Sequence, residues 1–595
     1  MLLKALADHA RHVPGLPPPN YRIRTLRWAI TIDAHGHALD RDAQGRAVIT
    51  DLADADHTHG IRIPAPYVYR SGNKPPPLLL VDKLQYVLAM PAGDSPKDEN
   101  EANRRNDTYL DLLNTWADTE PGDPATGPVL AFFGRGDHLN AVIPPHAKPT
   151  DPIAVRIAGQ DWPHLGTTAQ ECWQRTVTAR KSAPGNTGIC LSCAQQAPLL
   201  DSLPEPIKSG AIPAAAGSTR DAQLLSVNTP AQGRGGRTQL ADIPLCLRCG
   251  GQAAAVLNAL LADDNHRHRS ADAVTVWWMK KPASINPLRS VREARPSDVA
   301  AIFTELHKAR SGYATTAIDP NAFYALTLSA NESRVIIRDW IDTPLTAALE
   351  HITAWFSDHE IADWRSDAPS KAPLWMMAHS LGRGHDTDNG WRYISGSQPD
   401  HAERDLMTAA LHGRRPRRHL LHHLNHRIGA DGRIDHPRAA LLRLMLNRIN
   451  SSTGRQVPPV LDPDQTDPAY VAGRMFAVLE SLQHRALRDR ETGEGPNTTI
   501  ADKLLGSAKG RPRARMEPLL GKAQGHLRRL RTSKHGSDNA AAGAFFTQLC
   551  TLHDLLHEPL PDILDHQGQA LFSLGYYQQH SHDMKQRRDR TTTDS

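Results

Sequence analysis

The sequence predicts an α+β protein, with an N-terminal mixed α/β region, a four-cysteine insertion and a C-terminal all-helical bundle. Three observations support this fold class. Strand-like apolar runs fade beyond about residue 400, apolar residues recur there at helical spacing, and two Cys-x-x-Cys motifs lie within the earlier part. At 595 residues the chain is too long for one hydrophobic core. We therefore expect four parts: residues 1–186, 187–281, 282–400 and 401–595.

The first part, an N-terminal α/β domain, alternates strand and helix patterns. Residues 26–32 and 78–81 are apolar runs typical of buried strands. Asp82 is placed to cap a following helix, and residues 100–117 carry apolar side chains at helical spacing. Residues 129–133 are again uniformly apolar and precede a glycine, so we expect another buried strand there.

Four of the six cysteines form two Cys-x-x-Cys motifs, at Cys190, Cys193, Cys246 and Cys249. Four thiolates complete the tetrahedral shell of a zinc ion and leave no open position, so such a site stabilises a fold. We therefore predict structural zinc in a zinc-finger-like insertion with four cysteine ligands, within residues 187–281. A redox pair, or two cysteine-lined turns packed without metal, stay open as alternatives. Cys172 and Cys550 are expected to be ordinary buried thiols.

The two remaining parts differ in pattern. The part at 187–281 ends in a predicted strand at residues 273–279. Residues 323–340 then predict a β-hairpin and residues 344–357 a helix, so residues 282–400 continue the α/β domain. Residues 401–595 show only helical spacing, and we expect a bundle. Proline and glycine should interrupt its helices at residues 490–497 and 509–512.

Basic residues concentrate in two stretches of the C-terminal part. The formal net charge is only +5, but residues 411–448 contain nine arginines and two aspartates, and residues 509–531 form a second basic stretch. Solvated helix faces can be this basic, yet two such stretches with few matching acids favour a polyanionic partner. The predicted contact residues are Arg414, Arg415, Arg417, Arg418, Arg528 and Arg529.

Two polar loops are further candidates for contact with nucleic acid. Residues 70–74 offer cations for phosphate and polar side chains for hydrogen bonds, and residues 217–228 offer short polar side chains suited to base edges. A plain solvent loop is the alternative for each. The candidates are Arg70, Ser71, Asn73 and Lys74 in the first loop, and Ser218, Arg220, Gln223 and Asn228 in the second.

The common catalytic motifs are absent from the sequence. It contains no Gly-x-x-x-x-Gly-Lys-Ser/Thr loop, no Gly-x-Ser-x-Gly elbow and no His-Glu-x-x-His pair, so an ATPase, an α/β hydrolase and a zincin all lose support. The helically spaced histidines from His419 to His426 leave one enzyme alternative open, a zinc-stabilised nuclease. A catalytic metal normally needs carboxylates as well, and only Asp431 and Asp435 are close in sequence, which favours a basic helix face.

The sequence composition also indicates in which cellular compartment we expect the protein. No run of about 20 apolar residues exists, so we expect no membrane-spanning helix. The first ten residues lack the layout of a cleavable signal, and metal-binding cysteines suit a reducing environment. We therefore expect a cytoplasmic protein.

Several segments resemble, in order, the large subunit of the type I-C CRISPR surveillance complex, Cascade. The resemblance runs along essentially the whole chain, and six segments in family order are hard to obtain by chance. They are Arg70-Ser-Gly-Asn-Lys-Pro75 with Asp82 and Tyr86-Val-Leu, Cys190-Leu-Ser-Cys193, Leu224-Leu-Ser-Val-Asn228, Phe323-Tyr-Ala-Leu-Thr-Leu-Ser-Ala-Asn-Glu-Ser-Arg334, Gly473-Arg-Met-Phe-Ala-Val-Leu-Glu-Ser-Leu-Gln483 and Gln567-Gly-Gln-Ala-Leu-Phe-Ser-Leu-Gly-Tyr-Tyr577.

The resemblance implies a role without catalysis. A large subunit recognises the protospacer-adjacent motif in double-stranded target DNA, helps to open the duplex and presents the displaced strand to a helicase-nuclease. Its implied partners are crRNA-bound subunits: a repetitive backbone subunit, a crRNA-end-binding subunit and a small subunit. The family also suggests that residues 475–595 are made separately as a small-subunit-like piece from an internal start at Met475. A purely structural scaffold is a further alternative.

Overall fold

The chain forms two compact units. A computed structural model describes residues 2–70, 74–213, 221–283, 285–313, 321–331, 334–388, 390–449, 456–489 and 491–593. Unit 1 comprises residues 1–263 and 330–336, and unit 2 comprises residues 264–329 and 337–595. The predicted boundaries at residues 186, 281 and 400 stay predictions.

Unit 1 mixes short sheets with helices. Its helices are α1 (Leu2–His9), α2 (Leu84–Val87), α3 (Pro96–Thr119), α4 (Thr126–Gly134), α5 (Thr167–Lys181) and α6 (Leu247–Ala262). Its strands are β1 (Tyr21–Leu26), β2 (Trp28–Ile32), β3 (Thr50–Asp51), β4 (Ile61–Pro66), β5 (Val81–Lys83), β6 (Pro152–Ile157), β7 (Ser182–Ile189) and β8 (Gln196–Leu200).

The largest sheet of unit 1 has the strand order β3-β2-β6-β5. Strands β2 and β6 run parallel, with Ile30 opposite Val155, and the two edge strands pair antiparallel. Two further antiparallel pairs are β1 with β4 and β7 with β8. Strands β2, β5 and β6 are short and buried, so they lack the alternation of polar and apolar residues that a half-exposed strand would show.

Of the five predictions for the first part, two are confirmed, two are wrong, and the strand at 78–81 holds only at Val81, where β5 begins. Strand β2 lies within the predicted strand at 26–32, and α3 covers the predicted helix at 100–117. The apolar run at 129–133 is wrong as a strand, because it forms helix α4; a short buried run of this kind has no period that separates the two states. Asp82 caps no helix, because it lies inside β5 and Lys83 precedes α2.

Unit 2 contains the helical C-terminal region. Apart from residues 330–336, which unit 1 includes, its strands are β9 (Arg267–Arg269), β10 (Val274–Met279), β11 (Ala322–Asn331), β12 (Arg334–Pro344), β13 (Gly384–Thr387) and β14 (Gly390–Tyr393). Its helices are α7 (Pro287–Glu293), α8 (Pro296–Tyr313), α9 (Leu345–His359), α10 (Leu374–His379), α11 (Ala402–His412), α12 (Arg418–Asp431), α13 (His436–Ile449), α14 (Pro468–Leu487), α15 (Ile500–Gly510), α16 (Pro512–Arg531), α17 (Gly536–Asp554) and α18 (His566–Thr593).

The α+β fold class and the C-terminal helical region are confirmed. Strands β9 to β12 form one sheet of order β12-β11-β10-β9, which contains the predicted strand at 273–279 and the predicted hairpin strands. Beyond residue 400, all regular elements of the described residues are helices. The helix breaks also fall as predicted, since α14 ends at Leu487, α15 ends at Gly510 and α16 begins at Pro512. Among the described helices, none is long and apolar enough to cross a membrane.

Helices α14 and α18 pack through two glycines. A Cβ atom on Gly473 would lie 1.9 Å from the carbonyl oxygen of Phe572, and one on Gly575 would lie 2.2 Å from that of Tyr470. The same contact is extended by a hydrogen bond from the Tyr470 hydroxyl to the Gln578 side chain at 2.5 Å. The two backbones therefore approach to a distance that any larger side chain would prevent.

We predict that Gly473→Ala lowers the stability of unit 2 by about 3 kcal/mol, because a methyl group forced against a backbone carbonyl must separate the helices. The measurement is urea unfolding of the full-length chain. Gly525→Ala in α16 is the matched control, since a Cβ atom there meets nothing within 4 Å. The control should be as stable as wild type or up to about 1 kcal/mol more stable. A Gly473→Ala variant as stable as wild type would contradict this packing.

A buried lysine predicts how stability depends on pH. Lys509 is 3% exposed, and its Nζ donates to the carbonyl oxygen of Asn425. Burial, with a smaller contribution from Arg438, lowers the pKa of Lys509 to about 7. In the unfolded chain a lysine keeps its proton to about pH 10. The unfolded state therefore binds more protons between about pH 7 and pH 10, and the folded state gains stability as pH rises through that window.

We expect the unfolding free energy to rise by about 1 kcal/mol per pH unit between about pH 8 and pH 9 through this group. Lys509→Met should remove that slope, measured as the difference from wild type in urea unfolding at both pH values. Lys503→Met, on an exposed side chain of the same helix, serves as the control and should keep the wild-type slope. Equal slopes in wild type and Lys509→Met would contradict the prediction.

Candidate functional site

The four cysteines of the two motifs lie together in unit 1. Cys190 follows β7 and Cys193 lies in the turn before β8, whereas Cys246 directly precedes α6 and Cys249 lies in its first turn. All four sulfur atoms are within 4.8 Å of one another, and the Sγ atoms of Cys193 and Cys246 are 3.9 Å apart. Two thiolates on one tetrahedral zinc ion are roughly 3.8 Å apart. The cluster therefore has the donor atoms and the spacing that could hold a metal ion.

The protein environment of the cluster favours a thiolate at Cys190. Burial opposes its ionisation, but the backbone N–H groups of Cys246, Cys193 and Ser192 outweigh burial and lower the pKa of the Cys190 thiol to about 6. For Cys249, burial raises the pKa to about 12. None of these four cysteines forms a disulfide in the structure.

The two cysteines outside the motifs differ from each other. Cys172 is buried on α5, as predicted. Cys550 is exposed on α17, so the prediction of a buried thiol is wrong there. The helical pattern around residue 550 contains buried leucines, but Cys550 lies on the opposite side of the helix, which the pattern alone did not distinguish.

The predicted loop at 70–74 is anchored by a buried ion pair. Asp82 is fully buried, and Arg70 donates to both of its carboxylate oxygens, at 2.8 and 3.0 Å. The backbone N–H groups of Leu78 and Lys83 donate to the same carboxylate. The structure thus gives the Arg70 guanidinium a protein partner, and a phosphate contact is not supported there. Ser71 and Asn73 lie outside the described residues.

The carbonyl oxygens of three consecutive prolines accept hydrogen bonds that fix the next part of this loop. The Tyr86 hydroxyl donates to Pro75, Arg70 donates to Pro76 at 3.0 Å, and Arg180 donates to Pro77 at 2.7 Å. Proline has no backbone N–H, so these carbonyls are the only hydrogen-bonding groups of the segment. These hydrogen bonds fix the backbone that follows Lys74, and the Lys74 side chain is exposed.

Cations outnumber carboxylates around Asp82. Burial lowers the pKa of Arg24, Lys83 and Arg180, and the neighbouring Arg70 lowers each of them further. Asp82 acts in the opposite direction but is already neutralised by Arg70. This part of unit 1 therefore carries an excess of positive charge next to the loop at 74–77.

A cavity of about 610 Å³ opens beside that loop. Its lining contains five cations and one carboxylate, together with four threonines. Two of the cations, Lys74 and Arg180, form no ion pair among the described residues, whereas the others pair with Glu101 or Glu120. The charged lining residues are Lys74, Arg104, Arg105, Arg175, Arg180 and Asp111. We call this site the Lys74 cavity.

Sequence reasoning missed most of the Lys74 cavity. Arg104 and Arg105 lie in the predicted helix at 100–117, and Arg180 lies in the last turn of α5. The signal that could have found them is the pair of adjacent cations at each place, Arg104 with Arg105 and Arg180 with Lys181. Neither pair stood out, because only the fold brings both beside residues 74–77.

The second polar loop is described only in part. Ser218 and Arg220 lie outside the described residues. Gln223 is half-buried, and its Oε1 is buried without a hydrogen-bond partner among the described residues. Asn228 is exposed, and its Oδ1 accepts a hydrogen bond from Ser226. A contact of these residues with base edges stays a prediction.

The predicted C-terminal contact residues are exposed. Arg414, Arg415, Arg417 and Arg418 lie between or at the ends of α11 and α12, and all four are exposed. We call residues 413–418 the arginine loop. Arg417 approaches Asp405, with its Nε atom 3.3 Å from a carboxylate oxygen. Arg528 and Arg529 are exposed in the last turn of α16.

The other arginines of residues 411–448 include several with structural roles. Arg438 is fully buried and pairs with Asp431, and Arg448 pairs with Asp358 at 2.8 Å. Arg443 donates to the carbonyl oxygens of Ser357, Glu360 and Val457. The high arginine content of this stretch therefore overstates its basic surface, because buried arginines were counted with exposed ones.

The histidines of the nuclease alternative do not converge on one point. His419 faces His401, His422 stacks on His566 with ring centroids 3.7 Å apart, and His423 contacts the carbonyl oxygen of Leu381 at 2.7 Å. Helical spacing put them on neighbouring positions, but each of these three side chains has its own partner. The structure gives them no shared metal position.

The chain matches a known protein family along nearly its whole length. Among curated proteins, none matches the chain. A protein family described as "CRISPR-associated protein (Cas_Csd1)" matches residues 3–583. Because this match covers nearly all of the 595 residues, the chain belongs to the Cas_Csd1 family of CRISPR-associated proteins.

Proposed function

We propose that the protein is the large subunit of a type I-C crRNA-guided surveillance complex, and that it has no catalytic activity of its own. In this role it binds protospacer-adjacent-motif DNA, helps to open the duplex and recruits a helicase-nuclease for antiviral defence. Membership of a CRISPR-associated family supports the setting. The observation that carries the DNA-binding role is the Lys74 cavity, where cations outnumber carboxylates beside a loop held in place by hydrogen bonds.

The geometry of unit 1 suits a duplex backbone. Phosphates are bound by arginine and lysine side chains and by hydroxyl groups, and such contacts set the register of a protein on DNA. The Lys74 cavity offers the cationic donors, with Lys74 exposed in its lining, whereas its four threonine hydroxyls donate to helix carbonyl oxygens. In this proposal Arg70 is a positioning residue, because its guanidinium holds the loop through Asp82.

Reading of the flanking motif is assigned to the polar residues of the second loop. Gln223 and Asn228 are in unit 1, and the amide of either can pair with base edges in a groove. The Oε1 atom of Gln223 is buried and accepts no hydrogen bond from the described residues, so a base contact through it would require the side chain to turn outward. Ser218 and Arg220 belong to the same proposal by their position in sequence.

Unit 2 is assigned to the displaced strand. Single-stranded DNA is held through its phosphates by cationic surfaces, with little dependence on sequence. The exposed side chains of the arginine loop and of Arg528 and Arg529 supply such a surface. The guide RNA then reads the target sequence by base pairing, while the protein contacts the DNA backbone and recognises a short flanking motif.

The partners and the compartment are part of the same proposal. They are a repetitive backbone subunit, a crRNA-end-binding subunit, a small subunit and a helicase-nuclease, acting in the cytoplasm.

An internal start at Met475 would supply the small subunit. Such a piece would keep α15 to α18 and most of α14. It would lose Gly473 and the hydrogen bond between Tyr470 and Gln578.

We predict that Lys74→Glu combined with Arg104→Glu weakens binding of the full-length protein to motif-bearing duplex DNA by at least about tenfold. Each lost phosphate contact should also reduce the slope of log affinity against log salt by about 0.9. Fluorescence anisotropy over a salt series measures both quantities.

The matched control is Lys97→Glu combined with Lys148→Glu, which changes the net charge equally at exposed sites away from the Lys74 cavity. The control should keep the slope, since it removes no contact. If the two double variants had the same DNA affinity and the same salt slope, the Lys74 cavity would be excluded as the DNA-binding site. The wider proposal would fail if a tagged chain, purified from its native operon, carried neither guide RNA nor a repetitive backbone subunit.

The cysteine cluster is assigned structural zinc. We predict that the full-length protein substituted with cobalt shows thiolate-to-cobalt absorption, which Cys190→Ser combined with Cys249→Ser abolishes. Chelation should lower the stability of unit 1 by about 4 kcal/mol, relative to free zinc a thousandfold above the dissociation constant. Cys550→Ser is the control, because this cysteine is exposed and outside the cluster. Absence of thiolate absorption from the wild-type protein would favour turns packed without metal.

A further inference from the structure

A second group of metal-ligating side chains lies in unit 2. His401 immediately precedes α11, Asp405 lies in the first turn of α11, and His419 lies in the first turn of α12. One ligand atom of each of these three residues lies within 4.8 Å of the ligand atoms of the other two. The Nε2 atoms of the two histidines are 3.0 Å apart, and the His401 Nε2 atom is 4.0 Å from an Asp405 carboxylate oxygen.

These distances suit a metal ion. Zinc–nitrogen bonds are about 2.0–2.1 Å long, so two imidazole ligands of one tetrahedral ion have their nitrogens roughly 3.3 Å apart. The pair observed here, at 3.0 Å, is slightly closer and needs only a small rotation of exposed His419. Without a metal, two facing Nε2 atoms can make only one hydrogen bond, in which one histidine donates and the other accepts.

The carboxylate of the group has an incomplete set of partners. The Asp405 side chain is 5% exposed, and its Oδ2 atom accepts no hydrogen bond from the described residues. Two arginines are nearby: Arg417 Nε is 3.3 Å from Oδ2, and Arg404 Nη2 is 3.7 Å from Oδ1. A buried carboxylate oxygen that faces two imidazoles and accepts no hydrogen bond is the environment that a divalent cation would complete.

We propose that His401, Asp405 and His419 bind a divalent first-row transition metal, with zinc as the most readily held ion. Two imidazoles and one carboxylate leave further positions for water, unlike the closed set of four thiolates in unit 1. The site uses His419 but none of the later histidines of the nuclease alternative. We assign it a structural role and no reaction.

The metal would act on the arginine loop. Its ligands flank that loop on both sides, so the ion would clip the first turn of α11 to the start of α12. A carboxylate oxygen that binds the metal gives up its ion pair with Arg417, whose side chain is 67% exposed. Metal binding would therefore release Arg417 to solvent. That this release assists a phosphate contact rests on the proposed function, but the metal site itself does not.

The test is a count of bound metal on the full-length protein. After equilibrium dialysis against zinc, mass spectrometry of the metal content should give two equivalents for wild type. His401→Gln combined with His419→Gln should retain one, and so should Cys190→Ser combined with Cys249→Ser. His422→Gln combined with His426→Gln, on α12 outside the group, is the matched control and should retain both. Retention of the full wild-type count by the His401/His419 variant would overturn the site.

A second variant does not depend on the folding of the first. Arg417→Ala removes the cation that competes for Asp405, so it should tighten cobalt binding at this site about two- to fivefold. The readout is cobalt titration of the protein in which Cys190 and Cys249 are replaced by serine, followed by the absorption of cobalt bound through nitrogen and oxygen. No cobalt signal in that background, or unchanged affinity on replacing Arg417, would overturn the proposal. The proposed DNA-binding role fails separately, in the anisotropy experiment.

Discussion

The buried pair of Asp82 and Arg70 is the interaction on which the proposed DNA-binding surface depends. Removing a carboxylate from water is costly, and here the cost is offset by two guanidinium contacts and two backbone N–H donors. The same arginine also holds a proline carbonyl, so one ion pair joins strand β5 to the loop before it. Lys74 and Arg180 have no second buried carboxylate of this kind among the described residues, and we propose that their charge is available to a polyanion.

Arginine serves opposite purposes at different depths of this protein. In unit 2, Arg438 and Arg448 are buried against aspartates and backbone carbonyls, where five fixed donors satisfy several acceptors at once. In the arginine loop the same residue type is exposed. Binding of phosphate needs solvent-facing guanidinium groups, so exposure, and not the number of arginines, decides which part of residues 411–448 can contact nucleic acid.

Both candidate metal sites join segments that the chain keeps apart. The cysteine cluster links the turn after β7 to the start of α6, and the histidine–aspartate group links the starts of α11 and α12. A metal bond across such a junction restricts a polar loop without requiring a large hydrophobic core beneath it. In both units, the loop that the metal would restrict is one that we assign to nucleic-acid binding. The proposed metals would therefore affect binding in both units through the rigidity of that loop.

Local patterns were enough to establish the α+β class, the helical C-terminal region, the helix breaks at proline and glycine, and the pairing of two cysteine motifs, because each depends on residues close together or on a residue type with one dominant chemistry. The family was also recognisable from short segments in order. Folding in three dimensions decided that residues 129–133 are helical, that Arg70 faces Asp82, that Cys550 is exposed, and that Arg104 and Arg180 meet beside Lys74. These outcomes depend on burial and on contacts between distant segments, which no local pattern encodes.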